Sequence, residues 1–181
     1  MTKQENSIDF FPFLNPVGYW KSNLKELDLE HWTNIAYEYV KDYPESANRS
    51  NIGGYQSTSN LHLSPPFFPL VEILLEKIKL ITKSPNNKIE EMWLNFSPHG
   101  TFNHIHTHGC YEKQSLAGTL YLQTPSNCGR LCFVSPIDSN FIFPLDVMYK
   151  DLIIFPNYFP HFVEPNLSQE DRISISFNYE Q

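Results

Sequence analysis

"DLIIFPNYFPHFVEPNLSQEDRISISFNYE", residues 151–180, decides the fold class. It opens on an apolar run of strand length, DLIIFP, and breaks at a proline-containing turn. A second short run, HFVEP, begins at His161, and RISISFNYE closes the stretch. In that last run Arg172, Ser174, Ser176 and Asn178 share one face, and Ile173, Ile175, Phe177 and Tyr179 share the other. A two-residue period built on isoleucines and aromatics is a strand signal.

Outward from there the texture continues back to Pro85: RLCFVS, LAGTLYLQT, TFNHIH and IEEMWLNF read as short strands between Pro, Gly, Asn and Ser turns. Before Pro85 the period lengthens. LDLEHWTNIAYEYVKDYP puts Trp32, Ile35, Ala36, Tyr39 and Val40 on one helical stripe, with Asp28 as cap and Pro44 as stop. FPLVEILLEKIKLITKS lines up Leu70, Ile73, Leu74, Ile78 and Ile81, with Pro69 in its first turn. The expectation is a mainly β fold with N-terminal helices: an antiparallel sandwich or barrel with the helices packed on one outer face. With no repeat or linker, 1–181 reads as one domain, helical support over 24–84 and barrel over 88–180.

The formal charge of −7 argues against a nucleic-acid or anionic-membrane partner. No apolar stretch approaches the ~20 residues of a membrane span, and MTKQENSIDFFPFLNP lacks the apolar core of a signal peptide. Cys110, Cys128 and Cys132 form no Cys-x-x-Cys pair and read as reduced thiols, so a cytoplasmic location is expected. Nothing in the sequence fixes an oligomeric state, and a homodimer is compatible with it.

Four of the seven histidines, His99, His104, His106 and His108, fall within ten residues. On a strand, His106 and His108 point the same way and can clamp one ion. A third ligand must come from elsewhere, and His161 is the one histidine after His108. His104 is expected to support the site or lie at the surface, and His99 to sit on a turn. Solvated surface histidines are the alternative. Arg172 lies eleven residues past His161, where a hairpin would bring its guanidinium near the ion, with Ser174 as a second donor to a carboxylate. The alternative for that strand is an amphipathic edge with Arg172 in water.

Taken in order, these features resemble a family. Ser50-Asn51-Ile52-Gly53-Gly54-Tyr55-Gln56-Ser57, then Asn103, His106 and His108 in an Asn-x-x-His-x-His pattern, then Gly118 to Leu122, then Arg172-Ile173-Ser174, resemble the 2-oxoglutarate- and iron(II)-dependent oxygenases. Within them the likeness is to a group of small microbial and phage members, and it spans about residues 10–180. The resemblance implies a double-stranded β-helix (a jelly roll, cupin-like). It also implies Fe(II) and 2-oxoglutarate as cofactors, O2 as co-substrate, and hydroxylation of a C–H bond with release of succinate and CO2. His106 and His161 would bind iron, and Arg172 with Ser174 would hold the distal carboxylate of 2-oxoglutarate. Tyr121 would join them, because strand parity groups it with Thr119 and Gln123 as a polar face. Asn95 and Asn103 would line the same cavity.

His108 departs from the family, which has a carboxylate there. It is expected to be the third ligand. The alternatives are an open position, or Glu112 supplying the carboxylate. Three neutral imidazoles leave the iron with about +2 of charge, against about +1 with one carboxylate, so a 2-oxoglutarate dianion would neutralise it. Phe96, Phe102, Phe133, Phe155 and Phe159 are available as apolar walls, with plain core packing as the alternative for any of them.

Competing readings are a cupin-type metal protein (isomerase, other dioxygenase or binding protein), a three-histidine zinc hydrolase, and a non-catalytic jelly-roll interaction protein. Gly100, His106, His108 and Glu112 nearly fit the first cupin motif. Lys150 and Tyr158 stand where the second wants glycine, and Arg172-x-Ser174 favours the oxygenase. The substrate, whether small molecule or peptide, is not legible.

Overall fold

Alternation along the chain builds two facing sheets, and the parity of each strand decides which residues meet between them. The computed structural model describes residues 8–14, 17–84, 88–109, 115–135 and 137–180. The elements run β1 (Asp9–Leu14), β2 (Val17–Asn23), α1 (Leu29–Asp42), β3 (Asn51–Ile52), β4 (Tyr55–Gln56) and α2 (Phe68–Thr82). They continue with β5 (Lys88–Ser97), β6 (Phe102–His106), β7 (Leu116–Gln123), β8 (Leu131–Val134), β9 (Ile142–Leu145), β10 (Asp151–Pro156), β11 (His161–Val163) and β12 (Arg172–Glu180). The larger sheet has the order β1-β2-β10-β7-β12-β5-β4, and the smaller β3-β6-β11-β8-β9. Every strand pairs antiparallel with its neighbours.

The helices lie on the outer face of the larger sheet. Asp28 caps α1 by accepting from the backbone N–H of His31 at 3.0 Å, and the helix ends before Pro44, as its pattern requires. Pro69 sits in the first turn of α2, which closes on a left-handed Lys83. Trp32 and Ala36 of α1 and Leu70, Leu74 and Ile78 of α2 are buried against Met92, Leu94, Leu120, Ile173, Ile175 and Phe177. A second core fills the space between the sheets from Tyr121, Phe133, Ile153, Phe155 and Phe159, joined by Phe13 and Tyr19.

The barrel is larger than the expected 88–180 span. β1 and β2 extend the larger sheet through β10, and β3 and β4, inside the stretch read as helical support, add an edge to each sheet. Proline and glycine hid them. Pro12 is tolerated because β1 is an edge strand with no further neighbour to accept its missing N–H. Gly18 is required because a Cβ there would lie 2.0 Å from the Phe11 carbonyl oxygen. β9 escaped notice for the same reason, as an edge strand carrying Pro144. β12 is not the edge strand of the alternative reading: it runs between β5 and β7 and is buried along nearly its whole length. No helix among the described residues is long and apolar enough to cross a membrane.

Candidate metal centre and anion pocket

β6 and β11 are hydrogen-bonded neighbours, and His106 stands directly opposite His161. Three residues further back on β6, Asn103 stands opposite Val163, only two residues on from His161. This one-residue bulge turns Asn103 and His106 to the same cavity although their spacing in a regular strand would separate them. His108 lies two residues beyond the end of β6. Its backbone N–H donates to the Asn157 carbonyl at 2.8 Å, and the next residue, Gly109, packs against the Asn157 side chain. A Cβ on Gly109 would lie 2.3 Å from Asn157 Nδ2.

The three rings converge. Centroids of His106 and His161 are 4.3 Å apart, those of His108 and His161 5.0 Å, and those of His106 and His108 5.1 Å. One nitrogen from each lies within 4.8 Å of the others. Each Nδ1 is already engaged: His106 with its neighbour's carbonyl at His104 (2.8 Å), His161 with Phe159 O (2.8 Å), and His108 with Asn178 Oδ1 (2.6 Å). An Nδ1–H that donates to oxygen leaves a lone pair on Nε2, the tautomer a metal needs. Burial lowers the basicity of all three: His106 is pushed down to about 4, and His108 and His161 also fall below the ordinary histidine value. The other two imidazoles press His161 down further. The trio is therefore neutral at pH 7.

Across the cavity, β12 presents its even-numbered side chains. Arg172 is 3% exposed and donates to Cys128 O at 2.8 Å and Ser97 Oγ at 3.1 Å. Both acceptors are neutral, and no carboxylate among the described residues forms an ion pair with it. A buried guanidinium with no ion pair among the described residues suits a carboxylate. Ser174 faces Asn95 on β5 and Tyr121 on β7. Burial holds the Tyr121 phenol well above its usual range, so it stays protonated.

His106, His108, His161, Arg172, Ser174, Tyr121, Asn95 and Asn103 all line one cavity of about 340 Å³. Every candidate residue of the sequence reading among the described residues is thus brought together. Glu112, the alternative carboxylate, lies outside the described residues. His104 lends its carbonyl to His106 and keeps its ring at the rim. His99 lies on a turn, tied to Ser168 O at 2.9 Å. The expected apolar walls are a correction: none of the five phenylalanines lines the cavity. Phe96 packs beneath the helices, Phe102 is at the surface, and Phe133, Phe155 and Phe159 fill the core between the sheets. Trp93, Leu131 and Val163 supply the apolar part of the lining, and strand parity adds polar residues beside them. Ser97, Thr119, Ser176, Asn178, Glu91 and Gln56 line the cavity and were not singled out as site residues, although Thr119, Ser176 and Asn178 had been placed on polar faces. The signal was parity: Ser97 and Glu91 lie two and four residues from Asn95, Thr119 two from Tyr121, and Ser176 and Asn178 four and six from Arg172, while Gln56 carried none.

Residues 139–178, spanning β9 to most of β12, match a family model described as "Putative 2OG-Fe(II) oxygenase". That segment carries both His161 and Arg172. Over that segment the chain is similar to the 2OG-Fe(II) oxygenases. Its jelly roll is similar to that of a Pseudomonas putida prolyl-4-hydroxylase, with TM-score 0.68 and 15% identity over 92% of this chain and 94% of that one. It is also similar to SnoN, an alpha-ketoglutarate-dependent epimerase from nogalamycin biosynthesis, with TM-score 0.75 and 14% identity over 91% and 78% of the two chains. A third likeness is to HygX from Streptomyces hygroscopicus, solved with nickel and 2-oxoglutarate bound, with TM-score 0.67 and 12% identity over 91% and 83%. At these identities the likeness is one of fold. The search of curated proteins gave no match. The superfamily's cofactors, iron(II) and 2-oxoglutarate, suit the donors present here: three imidazole nitrogens for the metal and one unpaired guanidinium for a carboxylate.

Proposed function

We propose that this chain is a 2OG-dependent iron oxygenase that hydroxylates a C–H bond of a small molecule or peptide. One O2 and one 2-oxoglutarate are consumed per turnover, one oxygen atom entering the product and the other the succinate released with CO2. One observation supports the reading above others: a tripod of neutral imidazoles and a buried, uncompensated guanidinium share a single cavity.

His106, His108 and His161 would hold the iron, each oriented by its Nδ1 hydrogen bond. Iron with 2-oxoglutarate supplies the oxidising chemistry when bound. The chain's own work is placement. Arg172 would take the distal carboxylate of 2-oxoglutarate, with Ser174 and the protonated Tyr121 as further donors. Ser97 and the Cys128 carbonyl hold the guanidinium in place for that task. The remaining walls mix hydrogen-bonding groups, among them Gln56, Glu91, Asn95, Thr119 and Ser176, with the apolar faces of Trp93, Leu131 and Val163. They would suit a substrate with both polar groups and apolar surface, oriented by a few directed contacts.

The test is succinate release from 2-oxoglutarate with iron(II) and O2, in wild type and in Arg172→Ala. The oxygenase reading expects succinate from wild type. It expects Arg172→Ala to bind metal normally but to lose 2-oxoglutarate. A cupin-type metal protein expects Arg172→Ala to matter little, and that result would reject the proposal.

A further inference from the structure

The three imidazoles are not supported alike. His106 and His161 each donate Nδ1–H to a backbone carbonyl two residues earlier in the chain, so their own strands orient them. His108 stands beyond its strand, and its Nδ1 has a side-chain partner, Asn178 Oδ1, at 2.6 Å. Asn178 is itself tied: its Nδ2 donates to Glu91 Oε2 at 2.6 Å. Glu91 and Asn178 are cross-strand partners on β5 and β12, both facing the cavity.

Chemistry fixes every hydrogen in this chain. An ionised carboxylate only accepts, so Glu91 obliges Asn178 to present its NH2 there. The amide oxygen must then face His108, and His108 must carry its proton on Nδ1. The lone pair is left on Nε2, toward the other two rings. Trp93 packs against the same ring, with centroids 5.3 Å apart, and limits its tilt.

Resting on the reading of this cavity as an iron site, we propose that Glu91 and Asn178 are positioning residues. Together they select the tautomer of His108 and strengthen it as a ligand. Among the described residues no carboxylate joins the three imidazoles, and Glu91 supplies negative charge one amide away. Hydrogen bonds in series polarise one another, so the pull of Glu91 reaches the Nε2 lone pair through Asn178.

The experiment is anaerobic titration of the full chain with Co(II), used as a spectroscopic probe for the metal, in wild type, Glu91→Gln, Asn178→Ala, Asn178→Ala/Glu91→Gln and Asn178→Asp/Glu91→Gln. Unfolding of each metal-free variant is followed alongside. Asn178→Ala is expected to weaken Co(II) binding by about 10–100-fold, the usual cost of losing a ligand's supporting partner. Glu91→Gln is expected to weaken it several-fold in the wild-type background and less than about twofold in the Asn178→Ala background, because the effect travels through Asn178. Asn178→Asp/Glu91→Gln moves the carboxylate one step nearer to His108. It is expected to restore wild-type affinity or exceed it, and a merely structural role would not produce that rescue. Equal effects of Glu91→Gln in both backgrounds, or wild-type affinity in Asn178→Ala, would overturn the inference and leave the iron site standing. If Asn178→Ala does not fold, equal affinity in Glu91→Gln and Asn178→Asp/Glu91→Gln overturns it. A wild type that takes up no Co(II) would remove the iron site itself.

Discussion

Replacing Arg172 by Met keeps the side chain's volume and removes its charge. Two consequences separate cleanly. In the metal-free protein, Ser97 Oγ and Cys128 O lose their donor, at about 1–3 kcal/mol each. Against this, a lone buried guanidinium no longer has to be held out of water, which relieves several kcal/mol. The two nearly cancel. At about 2–4 °C per kcal/mol for a chain of this size, the metal-free unfolding temperature should stay within about 8 °C of wild type. Cofactor binding should behave differently. The distal carboxylate of 2-oxoglutarate would enter a site without its partner charge, and truncating one member of a buried charge pair costs about 2–5 kcal/mol. That is roughly 30-fold to several thousand-fold in Kd. Thermal shift with a redox-inert divalent metal present reads both quantities. At 100 times its Kd, 2-oxoglutarate should stabilise wild type by about 2.7 kcal/mol, or roughly 5–10 °C. The same concentration should leave Arg172→Met nearly unmoved. Equal 2-oxoglutarate shifts in the two proteins would refute the assignment of Arg172.

Iron and 2-oxoglutarate should bind with mutual cooperativity, because three neutral imidazoles leave the metal's charge uncompensated until the dianion arrives; iron affinities measured with and without 2-oxoglutarate should differ, and identical values would contradict this. Metal binding should survive below pH 6.5, since burial keeps the three imidazoles neutral there, His106 down to about 4; a binding midpoint at the ordinary histidine value would speak against it. The same shifts set the acid stability of the metal-free fold. The unfolded chain takes up protons on these histidines below about 6.5, the folded one does not, and stability should fall as pH drops from there toward 4. Urea unfolding across that range checks the sign. Gly109→Ala should displace the segment carrying His108, because the new Cβ would meet Asn157 Nδ2 at 2.3 Å; metal affinity should drop while 2-oxoglutarate's carboxylate site at Arg172 stays formed.

Much of this was legible because β12 is regular. Its strict alternation placed Arg172 and Ser174 on one face without knowledge of any neighbour, and the same parity logic put Tyr121 beside Thr119. That His106 and His161 would meet was readable because histidine is scarce elsewhere and both stand at strand ends. Irregular geometry was not readable. Asn103 reaches the cavity through a bulge that no period announces, and His108 reaches it from a bend outside its strand. β1, β2 and β9 were lost because Pro12, Gly18 and Pro144 look like turn residues, and only the sheet order shows that two of these strands are edges. The phenylalanines misled in the opposite sense. The five phenylalanines lie in the cores or at the surface, and the apolar part of the pocket comes from Trp93, Leu131 and Val163 instead.

Anaerobic titration with iron(II) in the presence of 2-oxoglutarate tests the central claim most directly. The account predicts one iron per chain and a visible metal-to-2-oxoglutarate charge-transfer band, both lost in His106→Ala and in His161→Ala. Wild type without such a band, or a band that survives in either variant, would contradict it.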